Sequence, residues 1–194
     1  DGLSVTSRIS HKLSYDVTNN RFQPSEGIRL TMENAFAGLG GDVRYFSTEL
    51  KAAKYYPVIE DVVLELSGRT GGIYGLDEDV RLNDRFFLGG TSFRGFAPSG
   101  IGARDAATSD ALGGNYFYRG TTELTFPLGL PQEAGLAGRL FAEGGALFNV
   151  DDNGGGIQDS KNPRLTVGFG VTWSSPFGPL RIDFGYALIE EDFD

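Results

Sequence analysis

Residues 115–126 read NYFYRGTTELTF, and taken alternately their side chains fall into two unlike sets. Neighbouring side chains on a strand point to opposite faces. Tyr116, Tyr118, Gly120, Thr122, Leu124 and Phe126 then share one face, while Phe117, Arg119, Thr121, Glu123 and Thr125 share the other. The split recurs in 164–173, where Leu165, Val167, Phe169, Val171 and Trp173 oppose Arg164, Thr166, Gly168, Gly170 and Thr172. It recurs in 180–188, with Leu180, Ile182, Phe184, Tyr186 and Leu188 against Arg181, Asp183, Gly185 and Ala187. Segments of about ten residues, apolar on one face and polar on the other, are the signature of strands that cross a membrane in a barrel. The fold class read from them is all-β, a transmembrane antiparallel β-barrel.

Working outward, segments 5–17, 28–37, 43–56, 62–73 and 136–149 join these, extended to 164–174 and 180–189, as about eight strands of barrel-crossing length. TNNRFQPSEG, PVIED, PLGLPQE and SSPFGP read as short proline- or glycine-bearing turns. The connection 75–114 is about forty residues long, and 150–163 is acidic and glycine-rich. Short turns on one side and long loops on the other place the short turns in the periplasm. The strands follow one another as a meander, without a solenoid or propeller repeat. No internal domain boundary is needed in 1–194.

Composition is consistent with this reading. The chain has 194 residues, 40% of them hydrophobic, as suits strands apolar on one side only, and no run approaches the length of a membrane helix. Its 29 glycines fit close backbone approach in a curved sheet, and aromatics at 12% fit interfacial girdles. Tyr55, Tyr56 and Trp173 lie beside short turns and are assigned to that aromatic belt. A net charge of -9 with no basic stripe argues against nucleic acid as a partner. The glycines at 89, 90, 95, 100 and 102 match neither phosphate-loop spacing. The single histidine, His11, falls on the outward face with Ile9, Leu13 and Tyr15, and has neither a metal cluster nor a Ser-His pair around it. The acidic residues from Asp151 and Asp152 to Asp159 read as a solvated loop. No catalytic residue, metal site or cofactor is assigned.

One motif asks for a partner. Residues 84–102 read DRFFLGGTSFRGFAPSGIG, setting Arg94 among Phe93, Gly95 and Phe96 in a loop too long for a hairpin turn. Two later strands each put a glutamate, Glu123 and Glu143, on the polar face. The expectation is a loop folded into the barrel and tied there through these six residues, with charge-assisted bonds that lysine would replace poorly.

FFLGGTSFRGF, the strands carrying Glu123 and Glu143, and the ending PRLTVGFGVTWSSPFGPLRIDFGYAL resemble the C-terminal barrel region of BamA-type outer-membrane assembly factors, the bacterial surface antigen family. The resemblance implies a barrel of roughly sixteen strands, an even number as in other bacterial barrels. It also implies periplasmic POTRA domains preceding the barrel, and a first and last strand that form a seam; neither those domains nor those two strands fall within 1–194. Loop 75–114 would be the lumenal plug, with Arg94 on Glu123 and Glu143. The implied function is folding and insertion of β-barrel proteins at the seam by edge pairing, without covalent catalysis. The implied partners are outer-membrane lipid and lipopolysaccharide, unfolded barrel clients and accessory lipoproteins. Rival readings are a TamA-like or two-partner-secretion pore and a passive pore; an enzyme has the least support. An open half-sheet leaves edge amides unpaired in lipid, so closure requires further strands or a second copy. On this topology an arginine at a mid-membrane outward position is costly, and one at Thr166 mild.

Overall fold

The computed structural model describes residues 5–131, 134–151, 155–175 and 178–194. Asp152 and the tips of the turns in 127–133 and 174–179 lie outside them. Eight long strands form one sheet: β1 (Arg8–Asp16), β2 (Gly27–Ala37), β3 (Tyr45–Ile59), β4 (Val62–Gly75), β7 (Tyr116–Pro127), β8 (Leu136–Phe148), β10 (Arg164–Ser175) and β11 (Gly178–Ile189). They pair antiparallel in that order, each with its neighbour in the meander. Among the described residues β1 and β11 are the terminal strands of the ladder. The sheet nonetheless curls far enough for Gln23 Nε2, in the β1–β2 turn, to donate to Ser174 Oγ of β10 at 2.7 Å.

The eight segments expected from alternation all form, with shifted ends. The third runs through Pro57 to Ile59 instead of stopping at 56. Proline lacks a ladder donor, and here it sits where the register slips between Pro57 and Ile59, the kind of irregularity a strand tolerates around proline. The stretch 76–115 is more ordered than a plain loop. It holds two short 3-10 turns (Leu82–Asp84 and Gly90–Ser92) and strands β5 (Ala103–Asp105) and β6 (Ala111–Gly113). These two strands make a small sheet with β9 (Ile157–Gln158) from the acidic connection. Backbone N–H groups of Thr108 and then Ala107 hold the Asp105 carboxyl below its usual range.

Outward residues of the wall are exposed: Phe169 at 59%, Ile182 at 65% and Tyr186 at 72% of their surface. So large an apolar exterior suits a lipid environment, not water. The inner face is less wet than alternation suggests. Toward the long-loop end, Phe117 and Leu147 of the wall pack with Leu88, Phe93 and Ile101 of the loop, with Phe86 and Phe96 at the margin. A second cluster joins Ala37, Val43, Tyr45, Ile73 and Val80. These residues are apolar because the loop, not water, covers them.

That covering corrects one expectation. Thr166 faces inward but is fully buried, and the Cβ that Gly95 lacks would lie 2.6 Å from its methyl. An arginine there meets the loop and is not mild. A fair inward control is Thr172, half-buried on the same face near the short-turn end. Phe169→Arg is expected to destabilise the barrel by about 2–4 kcal/mol and Thr172→Arg by much less. Denaturant titration of the complete protein in lipid vesicles measures the difference, and equal losses would overturn the assignment of faces.

Candidate functional site

The loop meets the wall at Arg94. Its Nε and Nη2 donate to Glu143 Oε1 at 2.8 and 2.6 Å, and its own backbone N–H donates to Glu143 Oε2 at 2.8 Å. Nη1 reaches Glu123 Oε2 at 3.0 Å and Asp183 Oδ2 at 3.3 Å. The guanidinium carbon lies over the Phe141 ring, 3.5 Å from its centroid. Of the residues singled out in sequence, the structure therefore brings Arg94, Glu123 and Glu143 together. Phe93 and Phe96 pack edge to face at 5.5 Å, with Phe93 fully buried in the loop's apolar cluster.

Gly95 has φ +91, a conformation glycine adopts freely. It also rests on Gly185 of β11, where an added Cβ would come 2.8 Å from the Gly95 nitrogen. Two glycines thus let two backbones touch. The motif reads as one apolar peg, one ion-pairing arm, one point of backbone contact and a second ring that packs on the peg.

Arg139, Phe141 and Asp183 also belong to the site and were not assigned from sequence. Arg139 is 1% exposed in its side chain and pairs through both ends. Nε donates to Glu123 Oε1 at 2.8 Å, Nη2 to Glu123 Oε2, and Nη1 to Asp183 Oδ1 at 2.9 Å. Arg139, Gly170 and Asp183 occupy one inward row across β8, β10 and β11. Gly170 is the saddle, for a Cβ there would lie 2.1 Å from Asp183 Oδ1. Gly168 does the same for the Phe141 ring, at 2.3 Å. The signal was available in the alternation, which puts Asp183, Gly168 and Gly170 inward; what was lacking was the strand register that aligns them. With Arg181 3.8 Å from Glu123, three carboxylates face three guanidiniums. Arg119 adds a bond in the other direction, from the wall to the loop carbonyl of Ser92.

The aromatic assignment divides. Tyr56 and Trp173 face outward beside short-turn ends. Tyr55 does not: it pairs in register with Glu65, which pairs with Glu123, and so it belongs to the inward row. Period two forbids adjacent residues of one strand from sharing a face. His11 faces outward, its Nε2 3.2 Å from Asn34 Nδ2. Among the described residues no group of His, Asp and Glu side chains could hold a metal ion.

An antiparallel eight-stranded wall, greasy outside and carrying a loop ion-paired to its inner face, is part of an outer-membrane β-barrel. The Omp85 superfamily domain matches residues 1–194, and the chain belongs to that superfamily. It is 41% identical over 191 residues to the outer membrane protein assembly factor BamA of Neorickettsia risticii, matching 97% of this chain and 26% of that protein. It is 31% identical over 204 residues to a SAM50-like protein of Schizosaccharomyces pombe, covering 42% of it. Against the crystal structure of Haemophilus ducreyi BamA lacking POTRA domains 1–3 the TM-score is 0.83 at 20% identity, over 96% of this chain and 40% of that one. The chain thus spans a C-terminal barrel portion, less than half the length of these relatives.

Proposed function

We propose that this chain forms barrel wall and lumenal plug of an outer-membrane assembly factor that folds and inserts β-barrel proteins. The observation that carries the reading is the seat of Arg94. A loop held to the inner face of the wall by a neutralised cluster of six charged side chains and an apolar peg supports a plug and argues against a passive pore. The name of the bacterial relative, an outer membrane protein assembly factor, points the same way. In this reading Phe93, Arg94, Gly95 and Phe96 are the plug's contact, Glu123 and Glu143 its receptors, and Tyr56 and Trp173 belong to the interfacial belt. Strands beyond β1 and β11 complete the ring and form the seam where clients pair by strand addition. Clients are unfolded barrel proteins; lipopolysaccharide, lipid and accessory lipoproteins surround the machine. No covalent step is involved.

The test is reconstitution of the complete protein in phospholipid vesicles with a small unfolded barrel as client. Folding of the client, read by its heat-modifiable migration, is expected to run well ahead of its rate in empty vesicles. No acceleration, together with steady ion conductance, would favour the pore instead.

A further inference from the structure

The glycines of the wall are of two kinds. At the inward Gly168, Gly170 and Gly185 an added Cβ would come within 2.1 to 2.8 Å of another atom, so packing demands glycine. Gly68, Gly120 and Gly144 stand side by side on the outward face of β4, β7 and β8. None has a positive φ, and a Cβ on any of them would meet nothing nearer than 3.7 Å. Neither conformation nor packing within the chain calls for glycine there. Glycine weakens a strand, and in strand interiors it often marks close approach by a ligand or another backbone.

Two of the three floor a groove. Leu30 and Met32 form one bank and Tyr118 the other, with Ala52, Gly68 and Gly120 between them, around a hollow of about 770 Å³. A second hollow of about 420 Å³ shares Ala52, Gly68 and Gly120 and runs on past Leu66 to Lys54. Among the described residues Lys54 is the only lysine or arginine on the outward face of a wall strand. Its ammonium sits 4.6 Å from the centroid of the Tyr56 ring, so its stem leans toward the short-turn end, as a lysine does when it reaches from hydrocarbon to headgroups. An apolar trough that ends in one cation at that level has the charge pattern of a phospholipid.

We infer that this groove is a binding site for one phospholipid of the periplasmic leaflet, its alkyl chain laid over Ala52, Gly68 and Gly120 and its phosphate on Lys54. The inference rests on the outer-membrane setting and not on the assembly activity. A protein segment without a carboxylate at that level would leave the ammonium without an anion, which is unfavourable.

The complete protein in bilayers of phosphatidylethanolamine with phosphatidylglycerol, the latter carrying a photoactivatable group on its acyl chain, provides the test. Adducts are expected to concentrate on the groove over the outward face of β10 and β11. Gly120→Leu, placed where side-chain space is open, is expected to lower groove labelling about tenfold, the worth of two lost methylene contacts. Lys54→Gln is expected to lower the preference for phosphatidylglycerol over a phosphatidylethanolamine probe about fivefold while leaving the alkyl chain bound. Heat-modifiable migration checks that each variant is folded, and the wild-type adduct map stands if one is not. Labelling spread evenly over the exterior would overturn the site, as would adducts joining the groove to a protein.

Discussion

Arg94→Ala is expected to destabilise the seated loop by about 3–5 kcal/mol, the usual cost of stripping one partner from a buried ion pair. Arg94 is the only ion-pair partner of Glu143 among the described residues, and the Glu143 side chain is 3% exposed. The truncation therefore leaves a buried carboxylate with one backbone N–H donor from the loop and no cation. Glu123 fares better, because Arg139 keeps hold of it. Lysine at 94 should restore little, because one ammonium cannot reach Glu143, Glu123 and Asp183 together while covering the Phe141 ring. Limited proteolysis of the complete protein in bilayers reads the outcome. Cleavage within 84–102 should rise sharply in both variants, and a wild-type pattern in Arg94→Ala would refute the tie.

Arg139→Ala is expected to cost a similar ~3–5 kcal/mol by the same mechanism, yet with a different signature. Arg139 joins β7 to β11 through Glu123 and Asp183 and, among the described residues, makes no hydrogen bond to the loop. Its loss should lower the denaturation midpoint of the barrel while cleavage in 84–102 stays near the wild-type level, since Arg94 retains Glu143. A double-mutant cycle with Asp183→Asn isolates the coupling. Matching proteolysis profiles for the two arginine variants would mean that loop and wall are one cooperative unit.

Alternation alone reached a long way into this fold. Eight strands, their inward and outward faces and the inward setting of Glu123 and Glu143 follow from a period of two, which is local. Two kinds of information are not local. The loop's own order depends on contacts with distant partners: β5 pairs with β9 some fifty residues on, and nothing in residues 103–105 announces it. Register across three strands decides which inward residues touch, so the Arg139, Gly170 and Asp183 row stayed hidden although Gly170 and Asp183 were placed on the correct face. Tyr55 is a plainer case, because the same period that placed Tyr56 outward already excluded its neighbour from the belt.

The distances along the chain between Arg94 and its partners impose an order of events. Glu123 lies 29 residues downstream, Glu143 49 and Asp183 89. Gly95, too, rests on Gly185. Closing the longer loops costs more entropy and delays the contacts they bring. Full occupancy of the seat, with Arg94 on Asp183 and Gly95 against Gly185, therefore requires β11 to be in place beside β10, and the loop is expected to be fully latched only once that strand has paired. A chain stalled before Asp183 would hold Arg94 through the two glutamates alone, a half-latched intermediate that a folding protease could still tell from the finished barrel.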